Sequence, residues 1–153
     1  MLKQLFKVML AVAISSTAMV GADVQVGMWV LNTAKSKWRP GPIPKSQIIT
    51  IWREGDWTVL KVEGTDSSGQ PVVPLLTRYK EDDEAHPIDN GTAIATVRKI
   101  SDYEYHVVEK NLNTTFWLDR HNSYSKDGKV RTSRVTGVNP KGEKIDGLLF
   151  DRR

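Results

Sequence analysis

The 153-residue chain contains no cysteine. That absence excludes a disulfide framework, a thiolate zinc site, an iron-sulfur cluster, a cysteine nucleophile and a lipidated N-terminal cysteine. There is also little charge of one sign, with 22 Lys and Arg against 18 Asp and Glu, and no run of basic residues that could track a phosphate backbone. The only long apolar run is near the N-terminus, so a polytopic membrane protein is excluded. With 39% hydrophobic and 26% charged residues, the remainder has the composition of one ordinary globular domain.

The N-terminal run has the features of a targeting segment. Lys3 and Lys7 precede an apolar stretch over 8–20, and Val20, Gly21 and Ala22 place small residues before Asp23. A secretory signal needs an apolar core of roughly 7–15 residues, whereas a membrane-spanning helix needs about 20. The expectation is a signal peptide over 1–22, a mature domain over 23–153 and a periplasmic or secreted address. Cleavage would leave 153 − 22 = 131 residues and 20 basic against 18 acidic side chains, a net charge of +2 rather than +4. The calculated pI of 9.3 then gives no argument for nucleic-acid binding. The mature protein is expected to have no transmembrane segment, and the sequence specifies no protein partner.

Beyond residue 23, segments rich in Val, Ile, Thr, Tyr and Trp recur every 10 to 15 residues, separated by turn signals such as Gly55-Asp56, Asn90-Gly91 and Lys126-Asp127-Gly128. Strands are predicted over 24–33, 46–54, 57–65, 71–81, 93–100, 103–110, 112–124, 129–138 and 143–151. Short links force antiparallel neighbours, and so many strands with edges to protect favour an all-β meander of 8–10 strands, closed as a barrel or a strongly curled sheet. The stretch 35–45 (KSKWRPGPIPK) cannot supply a central strand's ladder donors, so it is predicted as an ordered loop or edge segment with Trp38 tucked over one barrel end.

The string from Gly27, Trp29 and Leu31 through Asn32, Ala34, Lys35 and Trp38 to Pro40, Gly41, Pro42, Pro44 and Ser46 resembles the opening of a group of secreted bacterial proteins of unknown function, described as lipocalin-like. The resemblance continues through Tyr79 to Pro87, the Lys126-to-Lys129 hairpin and Leu149-Phe150-Asp151. It implies a lipocalin-like barrel and an envelope address, without an activity. The Gly27-x-Trp29 pair is similar to the motif that begins the first lipocalin strand, where the tryptophan caps the barrel base near a late arginine. Gly27 and Trp29 are therefore expected to be structural barrel-end residues.

Hairpin register suggests which residues point inward. A three-residue loop at Lys126-Asp127-Gly128 would collect Phe116, Leu118, Arg120, Tyr124, Val130, Arg134 and Val138 on one face. A turn at Ser101-Asp102 would collect Ile94, Thr96, Arg98, Ile100, Tyr103, Tyr105 and Val107, and would pair Lys99 with Glu104. The candidate ligand-binding set is thus Arg98, Tyr105, Phe116, Arg120, Tyr124 and Arg134. Arginines among inward apolar residues need a carboxylate partner or an anionic ligand headgroup. The function they point to is binding of a small hydrophobic or amphipathic anionic ligand. The alternatives are a filled core with the arginines reaching solvent or paired with Asp119 and Glu109, in an envelope interaction protein, and a barrel enzyme using Asp119 or His121 with Arg131, or an interior His106. Trp52 and Trp57 should point outward, as a partner or carbohydrate platform or packed beneath a crossing segment such as the proline loop.

Several chemistries lack their signatures. Asp83-Glu84-Ala85-His86 spells a helicase-like tetrapeptide, yet no phosphate-cradling G-x-x-x-x-G-K-[ST] loop accompanies it. Glu81, Asp82, Asp83, Glu84 and Asp89 lack the alternation of a dedicated calcium loop and are assigned to a solvated turn. His86, His106 and His121 have no H-E-x-x-H spacing, and no G-x-S-x-G elbow is present. No catalytic residue, metal site or cofactor is therefore expected.

Overall fold

The computed structural model describes residues 23–153, and the expected signal segment over 1–22 lies outside them. Eleven strands follow one another: β1 (Gly27–Leu31), β2 (Lys37–Arg39), β3 (Ser46–Glu54), β4 (Trp57–Thr65), β5 (Leu75–Lys80), β6 (Ala85–Ile88), β7 (Ala93–Ser101), β8 (Glu104–Asn111), β9 (Trp117–Tyr124), β10 (Val130–Val138) and β11 (Lys144–Arg152). All pairings are antiparallel. Ten strands run in the order β5-β4-β3-β1-β11-β10-β9-β8-β7-β6, and β2 pairs with β11 off this path. The two ends of the order, β5 and β6, lie side by side without a hydrogen-bonded ladder, so the sheet forms a nearly closed barrel. Among the described residues no helix is long and apolar enough to cross a membrane.

The meander expected from the turn chemistry is therefore present, with local differences. The strand predicted over 71–81 begins only at Leu75, because Pro71 and Pro74 cannot donate to a ladder. The short β6 was not anticipated, its four residues including Pro87 and alternating weakly. Within the proline-rich stretch, Lys37–Arg39 pairs with β11.

Both hairpins used to judge the faces close differently from expectation. At the β9–β10 turn, Ser125 N–H donates to the Val130 carbonyl, giving a four-residue loop with Gly128 at φ 68°. The Ser125 hydroxyl oxygen accepts from the amides of Lys129 and Val130, and Asp127 Oδ1 accepts from Lys129, which draws Lys129 into the turn. Arg131 consequently opposes Tyr124, and every β10 residue faces the side opposite to the one expected. At the β7–β8 turn, Ser101 opposes Glu104 and a bulge follows, so Arg98 opposes His106. Lys99 pairs with Asp102 at 2.8 Å and not with Glu104.

The interior has two ends. At one, Trp29 is 0% exposed and packs edge-on to Tyr124 at 5.3 Å, with Tyr105, Ile51 and Val97 in the same cluster. Trp29 Nε1–H donates to the Gln25 carbonyl at 2.8 Å, satisfying the ring's polar edge, and the Arg153 guanidinium lies 4.5 Å from its centroid. Gly27 has φ 139°, and a Cβ there would meet the same guanidinium at 3.3 Å. Gly27 and Trp29 thus lie together against Arg153. At the opposite end Leu118, Val135 and Ile145 form a smaller cluster with Phe116 and Trp38 packed against it.

Candidate functional site

Between these clusters lies a cavity of about 430 Å³, within the roughly 300–1,000 Å³ typical of small-molecule sites. Its walls are aliphatic, from Leu31, Ile49, Leu60, Val62, Leu75, Val135 and Leu149. Trp38, Pro42 and Pro44 line it from the proline-rich stretch. Trp38 can lie there because Gly147 faces it from β11, and a Cβ at that position would come within 2.4 Å of the indole. Trp38 thus packs against the cavity from β2.

The floor of the cavity is polar. Arg120, Arg131, Ser133, Thr77, Tyr79 and Glu109 reach it from inward positions on β9, β10, β5 and β8. Arg131 is buried and pairs with Asp151, opposite it on β11, at 2.7 Å. Arg131 also donates to Asn122 Oδ1 at 3.3 Å, an oxygen that accepts from the Ser133 hydroxyl as well. Its Nε and Asp151 Oδ1 have no hydrogen-bond partner within the protein, and neither does Thr77 Oγ1. Tyr79 donates its hydroxyl to Glu109 Oε1, and burial followed by the Glu109 charge pushes the phenol far above its ordinary value. Burial likewise raises Tyr124, against the opposing charge of Arg131.

Arg120 differs from Arg131. Among the described residues it forms no ion pair and no side-chain hydrogen bond, although it is only partly exposed. The floor therefore contains one neutralised arginine, one carboxylate engaged by a phenol, and one guanidinium whose donors are uncommitted. A small deeper pocket beneath it is shared by Arg120, Arg131, Tyr79, Asn122 and Tyr124.

Of the expected ligand-binding residues, Arg120, Tyr105 and Tyr124 do point inward, and Phe116 packs at the Trp38 end. Only Arg120 of these lines the main cavity; Tyr105 and Tyr124 belong to the closed end. Arg98 and Arg134 are exposed on the outer face, a correction that follows from the bulge in β7 and the fourth loop residue before β10. Inward positions of β7 are instead Ala93, Ala95 and Val97, small residues packed in the cluster that contains Tyr79 and Trp29. Arg131, assigned to the outer face in the enzyme alternative, is inside, and His106, assigned to the interior, is outside.

Trp52 and Trp57 point outward as expected. Trp57 is covered by Arg78 at 4.4 Å, Lys80 at 5.1 Å and the edge of His86 at 5.8 Å, and not by the proline loop. His86 in turn contacts both carboxylate oxygens of Asp82. The residues absent from the inward set expected from sequence are Thr77, Glu109, Arg131, Ser133 and Asp151, of which Glu109 and Arg131 are named there only in the alternatives. The signal that could have found two of them is the Ser125 and Asp127 pair around Gly128, which specifies the longer turn and hence the inward face of β10.

No protein-family model matches this chain, and no curated protein is detectably similar to it in sequence.

Proposed function

We propose that the protein is an exported, lipocalin-like barrel that binds a small hydrophobic or amphipathic anionic molecule in its cavity. The observation that carries this reading is the pairing of aliphatic walls with a floor where the Arg120 guanidinium is uncommitted and Thr77 Oγ1 is unsatisfied. An apolar body would lie along Leu31, Ile49, Leu60, Val62 and Leu149, and a carboxylate would take charge-assisted hydrogen bonds from Arg120. Thr77 could donate to the same headgroup. Glu109 restricts the choice, because with Tyr79 already donating to it a second carboxylate placed there would be repelled. A single acidic head on an apolar tail suits the floor best. The Trp29, Gly27 and Arg153 arrangement supports the lipocalin-like reading independently of the cavity.

Displacement of a fluorescent fatty acid tests the headgroup directly. An unlabelled fatty acid should displace it about tenfold or more better than the methyl ester of the same acid, as expected when a charged hydrogen bond worth about 1.5–3 kcal/mol is lost. No saturable binding of the probe, or equal displacement by acid and ester, would contradict the proposal.

A further inference from the structure

The outer face of β8 and β9 holds a group of side chains that the cavity does not use. His106 and His121 are directly opposed across the two strands, and Asp119 lies two residues before His121 on the same face. His106 Nε2 is 2.9 Å from Asp119 Oδ1, and His121 Nε2 is 3.6 Å from that same oxygen. One ligand atom from each residue falls within 4.8 Å of the others. We infer that His106, Asp119 and His121 form a surface site for a divalent transition-metal ion of the zinc class.

The donor set suits that ion. Two imidazoles and one carboxylate are borderline nitrogen and oxygen ligands, and three protein ligands leave a coordination position for water or an anion. Tetrahedral zinc with bonds of about 2.0–2.1 Å separates its ligand atoms by about 3.3 Å. Two edges of the site, 2.9 and 3.6 Å, bracket that value. The rings stack with centroids 4.3 Å apart and planes at 16°, so loading the site requires one ring to tilt until both lone pairs converge. His121 has the freedom to do so, its side chain being 57% exposed against 19% for His106. Metal binding displaces the proton shared between His106 Nε2 and Asp119, which leaves to solvent.

The flanking charges define the fourth position. Arg98 opposes His106 from β7, and Arg134 opposes His121 from β10, so the row across the sheet reads Arg98, His106, His121, Arg134. Two exposed guanidiniums beside a dication are repelled by it unless an anion intervenes. A carboxylate or phosphate oxygen on the metal would meet both arginines, which makes the loaded site an anion receptor on the barrel's exterior. This role is separate from the cavity and does not depend on it.

The test uses the full 153-residue chain purified without a histidine tag, with Zn²⁺ titrated in competition with a chromophoric chelator. The expected result is one Zn²⁺ per chain. His106→Ala and His121→Ala should each weaken binding at least about 100-fold, beyond the ~10–100-fold expected from losing an outer-shell partner. Asp119→Asn should weaken it about tenfold or more, while His86→Ala leaves it unchanged. The His86 variant matters because Asp82, Glu84 and His86 also lie within reach of one another. All three site residues point outward from the sheet, so circular dichroism should show the variants folded. Absence of a stoichiometric site in the wild type, undiminished binding in the His106 and His121 variants, or loss of binding in His86→Ala would overturn the inference.

Discussion

The two ends of the barrel are built from the same alternation of inward and outward residues but differ in what the inward positions hold. At the closed end they carry Trp29, Tyr105 and Tyr124, and the last polar edge of Trp29 is satisfied by Gln25. Toward the opposite end they carry Leu75, Val135, Leu149 and the glycine that receives Trp38. Aromatic rings fill their end, whereas aliphatic and glycine positions beyond them leave a space of about 430 Å³ between the two clusters. Sheet geometry is thus neutral about whether a barrel is packed or hollow. Side-chain volume decides it, end by end.

The buried Arg131–Asp151 pair sits at the boundary between the ends, and removing one partner is expected to have the largest effect on folding. Asp151→Ala should cost about 3–5 kcal/mol, measured by urea unfolding, because it leaves the Arg131 charge buried and uncompensated. Combining it with Arg131→Met should recover most of that loss. Failure of the double substitution to recover would mean that the pair stabilises the barrel beyond neutralising its own charge.

Truncating the tryptophan at each end separates packing from access. Trp29→Ala should cost about 3–5 kcal/mol, as for a fully buried aromatic side chain. Trp38→Ala, at the half-buried mouth, should cost about 1–2 kcal/mol and change ligand affinity more than stability. Equal losses in the two variants would show that the mouth is as integral to the core as the base, and the contrast between the ends would fail.

The fold was legible where turn chemistry and β-branched residues coincide. The hairpins at Gly55-Asp56, Ser101-Asp102 and Lys126-Asp127-Gly128 follow from those signals, whereas the barrel-end role expected of Gly27 and Trp29 rests only on the resemblance to lipocalin-like proteins. The faces were only half legible, because a side chain's direction depends on counting residues through a turn. Tyr124 and Arg120 were placed correctly from β9, but one additional loop residue, Lys129, exchanged Arg134 for Arg131 inside. The bulge in β7 likewise moved Arg98 outward. The inward positions of β7 include Ala93 and Ala95, which pack in the cluster that also contains Tyr79 and Trp29. The association of His106 with His121 is invisible to local spacing, since it depends on the register of β8 against β9.

The central claim is that Arg120, and not the outward Arg134, anchors an acidic ligand at the cavity floor. Equilibrium titration of wild type, Arg120→Met and Arg134→Met with a fluorescent fatty acid tests it most directly. The account predicts that affinity falls about tenfold or more in Arg120→Met and stays within about twofold of wild type in Arg134→Met, in line with the loss of one charged hydrogen bond. Equal affinities in all three proteins, or a loss confined to Arg134→Met, would contradict it.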